Sequence, residues 1–421
     1  MRSMSSLHRR LLFRVLAPAG ILGLVRIFRL PSPLVDAAGR APVLDLRLEF
    51  PPGHLLFTPF SVLADTLSCG GLRTSIAFLA WLLFGYWPLR LLLRSKAEEN
   101  PSGRSGLKEA RLYSFYIAGL CAFLVWAFLL PRPMARLCSA SADDLIFDIH
   151  SHTSRSWDGR RSFTPAANIA WHEQAGFSAG FVTDHNRWDG SEQAQALSSA
   201  AGGYRSLFGG ELSLHGAHVV VLGPRGPFDI RPYEQGEAGL FRLLKECGPV
   251  HGALCVLSLP EYRRNWWPRR EELARAGAPG FEIVNATPKG MDFSVNDQRE
   301  IAELCRRQGL PMLGATDNHG WTRAAAVWNV MPLPGHTRME PKELEKAVLE
   351  RLRVPGASGT RVIERFLPES EGRLSLFFYA PRALWTQLRS LTALQAVILL
   401  LWIWGAAFCG LILPSFFSKS P

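Results

Sequence analysis

Cysteine is scarce in this sequence: seven among 421 residues, with no two spaced as Cys-x-x-Cys. That argues against a disulfide scaffold and against a zinc ribbon. A continuous basic stripe interleaved with aromatics is also missing outside 261–270. Nucleic acid is therefore a poor fit as a partner, although a formal net charge of +11 leaves it open. An apolar fraction of 48% excludes a disordered chain. The mean hydropathy of +0.06 is high for a wholly soluble protein and too low for a chain made only of membrane spans. A soluble domain with a few membrane segments attached fits both values.

Charge is absent from residues 112–130 and 393–413, and residues 74–93 carry only Arg90. Each run has about the 20 residues needed to cross the hydrocarbon core of a bilayer. Tyr86, Trp87, Tyr113, Tyr116 and Trp126 lie toward the run ends, as interfacial aromatics do. A fourth run, 11–28, follows Arg2, Arg9 and Arg10, but Arg14, Pro18 and Arg26 shorten its apolar part. It reads as an anchor, an interfacial helix or a cleaved signal. The expected layout is a membrane region over 1–142 with spans at 11–28, 74–93 and 112–130. A soluble domain over 143–340, an extension over 341–390 and a final membrane segment over 391–417 follow. The connection 94–111 carries Arg94, Lys96, Arg104, Lys108 and Arg111. By the positive-inside rule it faces the cytoplasm and the soluble domain faces outward. Arg373, Arg382 and Arg389, ahead of the last span, argue for the opposite orientation.

Within 143–340, short apolar runs recur at 145–149, 180–184, 218–223, 253–259, 281–286, 311–317 and 327–333. Helical stretches at 165–176, 237–248 and 295–309 fall between them, each closing on a glycine. This alternation predicts a parallel α/β fold, a small barrel or a doubly wound sheet of about seven strands. Residues 341–352 form an amphipathic pattern that closes the barrel as a helix. Residues 373–385 read as a strand or an interfacial segment.

Eight of the eleven histidines lie between 150 and 319. His150 and His152 follow the first run, Asp184 and His185 the second. Glu211 precedes His218, which opens the third, and Asp317 and His319 follow the sixth. Parallel α/β folds build their sites at such strand ends. In extended chain, residues i and i+2 point the same way, so His150 and His152 present two imidazoles to one centre, as Asp317 and His319 present an acid and an imidazole. Imidazole with carboxylate suits Zn, Mn or Fe.

Four motifs carry a resemblance to the polymerase-and-histidinol-phosphatase family of metal-dependent phosphoesterases: DIHSHTSRSWDG, GFSAGFVTDHN, GGELSLHGAHVVVLG and GATDNHG. Together they span residues 145–320. The resemblance implies a distorted seven-stranded β/α barrel, here with N-terminal and C-terminal transmembrane helices, and two or three divalent metals. It implies one site of His150, His152, Glu211 and Asp317 and a second of Asp158, His185 and His319. A third would join Glu211 to His218, but the family's strand-end His-Pro is replaced by Leu259-Pro260. Two metals are therefore expected, with the third site empty or weakly occupied, unless His215, His251 or water substitutes.

The implied activity is hydrolysis of a phosphate ester by a metal-activated water, with a small phosphorylated substrate and a bilayer as partners. Asp184 is expected to orient the His185 ring. Arg187 is the expected phosphate anchor, with Arg155, Arg263 and Arg264 as further candidates. Trp266 and Trp267 are a candidate stacking lip or membrane wedge. Rival readings are a catalytically impaired metal-binding sensor or scaffold, and a nuclease or nucleotide phosphatase. The oligomeric state is left open.

Overall fold

A computed structural model describes residues 6–93, 105–198, 203–259, 266–354 and 359–417. The first part of the chain is mainly helical. It comprises α1 (Ser6–Ile27), β1 (Leu34–Asp36), β2 (Leu46–Glu49), α2 (Pro52–Leu56), α3 (Thr58–Cys69), α4 (Leu72–Leu93) and α5 (Ser105–Phe128). The middle holds β3 (Arg136–Ser139), β4 (Asp144–Asp148), α6 (Pro165–Ala175), β5 (Ala179–Val182), α7 (Asp189–Leu197), β6 (Arg205–Leu214) and β7 (Ala217–Leu222). It continues through α8 (Gly236–Glu246), β8 (Leu254–Leu257), α9 (Arg270–Arg275), β9 (Gly280–Asn285), α10 (Val295–Gln308), β10 (Met312–Ala315) and β11 (Val327–Pro332). Then come α11 (Pro341–Arg353), β12 (Arg361–Arg365), α12 (Arg373–Phe377), α13 (Tyr379–Ser390) and α14 (Ala393–Phe417).

Local chemistry explains several boundaries. Thr164 caps α6 by accepting from Ala167 N, Pro165 opens the helix, and Gly176 ends it at φ 92°. Ser294 and Gly309 do the same for α10. The run 373–385, expected as a strand or interfacial segment, is helical: Leu374, Phe377 and Phe378 recur at helical rather than alternating spacing.

Ten strands form one curled sheet in the order β1-β12-β11-β4-β5-β6-β7-β8-β9-β10, and β2 pairs with β3 separately. The fold is mixed α/β, as expected, but in place of a seven-stranded β/α barrel the ten strands make a curled half-barrel sheet that mixes parallel and antiparallel pairs. The cause of one reversal is a two-residue turn at His215-Gly216, where φ is 48° and 70°. Two positive φ values make a tight hairpin, so β6 and β7 pair antiparallel. The curl brings β10 back toward β11, and a side chain bridges the gap. Asn329 Oδ1 accepts from Gly314 N at 2.8 Å, while its Nδ2 donates to Gly314 O at 2.7 Å and Phe147 O at 3.2 Å. Gly314 must lack a side chain there, since a Cβ would lie 2.4 Å from Val327 and 2.6 Å from Val362. The one disulfide among the described residues joins Cys247 to Cys255, both buried.

All four expected spans are helical. Among the described residues, one helix, Glu109–Phe128, is long and apolar enough to cross a membrane. The pair Tyr379–Ser390 and Ala393–Cys409, bent by 119°, makes a second if taken as one broken span. Val15–Ile27 and Leu72–Trp87 are shorter apolar helices. The expectation of a full span at each of 11–28, 74–93, 112–130 and 391–417 is thus met by length and composition at one place. The one charge of the 74–93 run is paired: the Arg90 guanidinium meets Glu109 of α5 at 2.8 Å, joining the two helices. Residues 94–104, which carry much of the topological charge signal, lie outside the described residues.

A buried ionic cluster ties these helices to the sheet. Asp65 of α3 accepts from Arg132 Nη1 at 2.6 Å, Arg365 Nη1 of β12 at 2.9 Å and His54 Nε2 of α2 at 3.2 Å. Burial raises the Asp65 pKa, but the two guanidinium charges outweigh it and hold the carboxyl far below its ordinary range.

Candidate metal centre

The candidate ligands gather at one end of the curled sheet. His150 and His152 leave β4, His185 follows β5, Glu211 and His218 sit on β6 and β7, and Asp317 and His319 follow β10. Asp158 reaches in from the loop after His152. They fall into three overlapping groups, each with one ligand atom per residue and all such atoms within 4.8 Å of one another. One group is His150, His152 and Asp317. Another is His152, Asp158, His185 and His319. The third is His185, Glu211 and His218. All eight expected metal residues are therefore brought together. His152 and His185 are each shared between two groups, a finer arrangement than the sets implied by the resemblance.

The distances converge on shared space. His150 Nε2 and His152 Nε2 lie 3.0 Å apart, and Asp317 Oδ1 lies 3.4 and 3.1 Å from them. Glu211 Oε2 is 2.9 Å from His185 Nδ1, and its Oε1 is 2.6 Å from His218 Nδ1. Asp158 Oδ2 is 3.3 Å from His185 Nε2 and 3.1 Å from His319 Nε2. Yet both Glu211 oxygens, Asp317 Oδ1, Asp158 Oδ1 and His319 Nε2 are buried and, though close to one another, make no well-aligned hydrogen bond among the described residues. Buried polar atoms are normally paired. Orphaned oxygens and ring nitrogens aimed at common points fit the donor set of hard-to-borderline divalent cations.

Supporting residues set the orientation. Glu282, fully buried on β9, accepts from His150 Nδ1 at 2.7 Å, which turns His150 Nε2 toward the cluster. Its other oxygen accepts from Ser258 Oγ at 2.6 Å and Asn285 Nδ2 at 2.9 Å. Asn285 Nδ2 also donates to Asp317 Oδ2 at 2.9 Å, leaving Oδ1 to the histidines. Asp317 itself sits at φ 45°, an uncommon backbone state that clusters at functional sites. Sequence reading missed Glu282. Its signal was an acid inside the apolar strand Gly280–Asn285.

Two expected roles change. Asp184 does not touch the His185 ring: its oxygens accept from Thr153 N at 2.6 Å and Thr153 Oγ1 at 2.7 Å. It clamps the first motif's loop onto the second motif, positioning His152 and Asp158 through the backbone. Arg187 faces the surface, forked onto Asp189 at 2.9 and 3.0 Å. Arg155, similarly, reaches Gln193. Arg263 and Arg264 lie outside the described residues. Leu259 is buried in the core. Neither stand-in replaces it: His215 forms the exposed hairpin turn, and His251 stacks on Phe228 with its ring nitrogen 2.7 Å from Tyr233 Oη. Trp266 is buried and donates to His215 O, and Trp267 packs edge-on against Phe293, so the pair packs into the core rather than forming a wedge.

The electrostatics favour cations. Burial pushes the imidazoles of His185 and His319 down, but Asp158 and Glu211 raise His185 to about 10, and Asp158 and Asp317 raise His319 to about 9. Without metal, protons occupy the place of cations. These raised values contribute stability that is fully present below the ordinary histidine pKa of about 6.5 and is lost as pH climbs through 9 to 10. A divalent ion must expel the same protons. The apparent affinity for Mn²⁺ should therefore rise about tenfold per pH unit for each proton displaced between pH 6 and 9. Calorimetry in buffers of differing ionisation enthalpy measures the release, and a flat affinity across that range would contradict it.

No protein-family model matches the chain, and no curated protein matches it. Solved structures do show likenesses. A proposed metal-dependent phosphoesterase from Bifidobacterium adolescentis aligns over 42% of this chain and 88% of its own, at 14% identity and a TM-score of 0.34. An amidohydrolase from Chromobacterium violaceum, with bound sulfate and no metal, aligns over 48% and 96%, at 18% identity and a TM-score of 0.32. The lesion-specific endonuclease of Pyrococcus furiosus aligns over 52% and 57%, at 11% identity and a TM-score of 0.32. At such identities and scores, the chemistry must be read from this chain's own side chains.

Proposed function

We propose that this protein is a membrane-anchored, metal-dependent phosphoesterase with a barrel of the polymerase-and-histidinol-phosphatase type over 143–340. Residues 1–142 and 391–417 would supply the membrane segments, joined through an extension over 341–390. The observation that carries the reading is the convergence of eight imidazole and carboxylate side chains in three overlapping groups, with both Glu211 oxygens and Asp317 Oδ1 buried among them. Two divalent ions in such a site supply an activated water and neutralise charge on a phosphoryl group. The chain's own part is to hold them. His150, His152 and Asp317 form one cradle, and Asp158, His185 and His319 the other, with Glu211 facing both. Glu282 and Asn285 fix the rings and carboxylates that face inward, and Asp184 holds the loop that carries Asp158.

Full-length protein in detergent should hydrolyse p-nitrophenyl phosphate or its bis-diester, lose that turnover with chelator, and regain it with Mn²⁺ or Zn²⁺. Undiminished turnover after metal removal would refute the mechanism. Leu259 in the core favours a second reading, a metal-binding sensor with impaired catalysis. Metal uptake without turnover of either ester selects that reading instead. The Cys247–Cys255 bridge supports an oxidising, extracytoplasmic setting for the barrel. A reporter that works only outside the cytoplasm, fused after Arg136, should be active, and silence there with activity of a cytoplasmic reporter reverses the orientation.

A further inference from the structure

The helices enter and leave the barrel at the end that bears the ligands. Strand β12 runs the same way as β4, because both pair antiparallel with β11. Its last residue, Arg365, lies opposite Leu34, the first residue of β1. The chain coming from α1 thus joins the sheet at the ligand end. Helix α4 starts there too, with Leu72 N donating to Pro288 O at 2.7 Å in the loop after β9.

Helix α5 ends on the ligand loops themselves. Arg160, two residues past Asp158, donates through its guanidinium to Leu129 O at 3.0 Å and through its backbone N to His319 O at 2.9 Å. Arg323, four residues past His319, donates to Phe128 O and Leu129 O at 3.4 and 3.3 Å. Two cations thus cap the carbonyl end of the helix able to span a membrane.

This is also where the cluster opens. The side chains of Asp158 and His319 are 28% and 16% accessible, against 0–1% for His150, His152, Glu211 and Asp317. Two large aromatics stand beside that opening with little covering them: Trp157 is 83% exposed and Trp321 54%. Trp321 carries the Arg160 guanidinium 5.4 Å above its ring. Exposed Leu129 and Leu130 continue the rim. Tryptophan, leucine and arginine at the foot of a spanning helix are the chemistry of a membrane–water interface. Helix α13 adds to it, bent by 119° from α14 with Leu384 and Trp385 exposed and Arg382 and Arg389 on the same helix.

We propose that the mouth of the metal centre opens onto the bilayer surface and that its substrate is a phosphate ester carried on a lipid headgroup. The proposal rests on the phosphoesterase reading for its substrate, but not for the placement of the mouth.

Two measurements on the full chain in phosphatidylcholine vesicles test it. In the first, wild type and a Trp157→Phe/Trp321→Phe double variant are compared in vesicles with and without shallow-brominated lipid. The fluorescence difference between the two proteins should be lost by more than half in brominated vesicles. A difference signal untouched by bromine and quenched by aqueous iodide overturns the placement. In the second, metal-loaded protein is given phosphatidate or phosphatidylglycerol in mixed micelles, and p-nitrophenyl phosphate or its bis-diester in solution. Lipid esters should be preferred at least tenfold in kcat/KM, with a rate that falls as neutral detergent dilutes the surface. Equal turnover of soluble esters, independent of surface dilution, overturns the lipid substrate. Loss of turnover on every ester, with bromine quenching intact, overturns the phosphoesterase reading and leaves the placement standing.

Discussion

On the proposed phosphoesterase reading, Glu211→Gln should leave the sheet folded and cut phosphate-ester turnover by about 10²–10³-fold, with most metal binding lost. The substitution keeps shape and removes only charge. Glu211 is fully buried, and one oxygen lies 2.9 Å from His185 while the other lies 2.6 Å from His218. His150 and His152 each stand 3.3 Å from Oε2. Burial raises the carboxyl's pKa, yet the neighbouring His150 and His218 charges hold it well below the ordinary range. The site therefore keeps a full negative charge where four imidazoles meet. A neutral amide would instead point an N–H donor at ring nitrogens that must offer lone pairs to a metal, replacing attraction with a desolvated mismatch. Metal content by mass spectrometry and turnover should fall together. A variant with full metal and a wild-type rate would remove Glu211 from the centre.

The parts of this site that the sequence made legible are those encoded locally. His150 and His152 are two residues apart on a strand end, as are Asp317 and His319, so their common direction follows from backbone geometry alone. What sequence could not give is partner choice across the fold. Asp184 sits next to His185, yet it bonds Thr153, 31 residues earlier. Glu282 stands in an apolar strand and becomes visible only when the curl of the sheet brings β9 against His150. The Asn329 bridge that draws β10 toward β11 depends on a side chain fifteen residues away in sequence finding Gly314. Strand direction was readable in principle, since a two-residue His215-Gly216 link ending in glycine between two apolar runs fits a tight hairpin. Hydropathy placed the long helices but not their pairing, which depends on Arg90 meeting Glu109.

Asp65→Asn is expected to destabilise the protein by about 3–5 kcal/mol, a large part of the stability of an ordinary domain. The reason lies in unequal charge. Asp65 stands between two guanidinium groups, and the Arg132 side chain has no solvent exposure. Among the described residues, Arg132 Nη2, Arg365 Nε and Arg365 Nη2 are already buried without hydrogen-bond partners. Removing the single carboxylate leaves two buried cations facing each other, and the uncompensated charges rather than the lost bonds account for most of the cost. The pH dependence follows the same sign. A carboxyl held below its ordinary pKa stabilises the fold at all pH above about 4 and loses that effect only in stronger acid. The variant's deficit in thermal unfolding should therefore be constant from pH 5 to 9. A second substitution gives the sharper test. If charge imbalance is the cause, Asp65→Asn with Arg132→Met should recover part of the loss, whereas independent contacts would make the double variant worse than either single one. Function should follow stability here. Arg132 lies three residues beyond Leu129, whose carbonyl receives Arg160 from the loop that carries Asp158. Freeing the Asp65 cluster loosens the foot of α5, and with it the loop that holds one side of the metal centre.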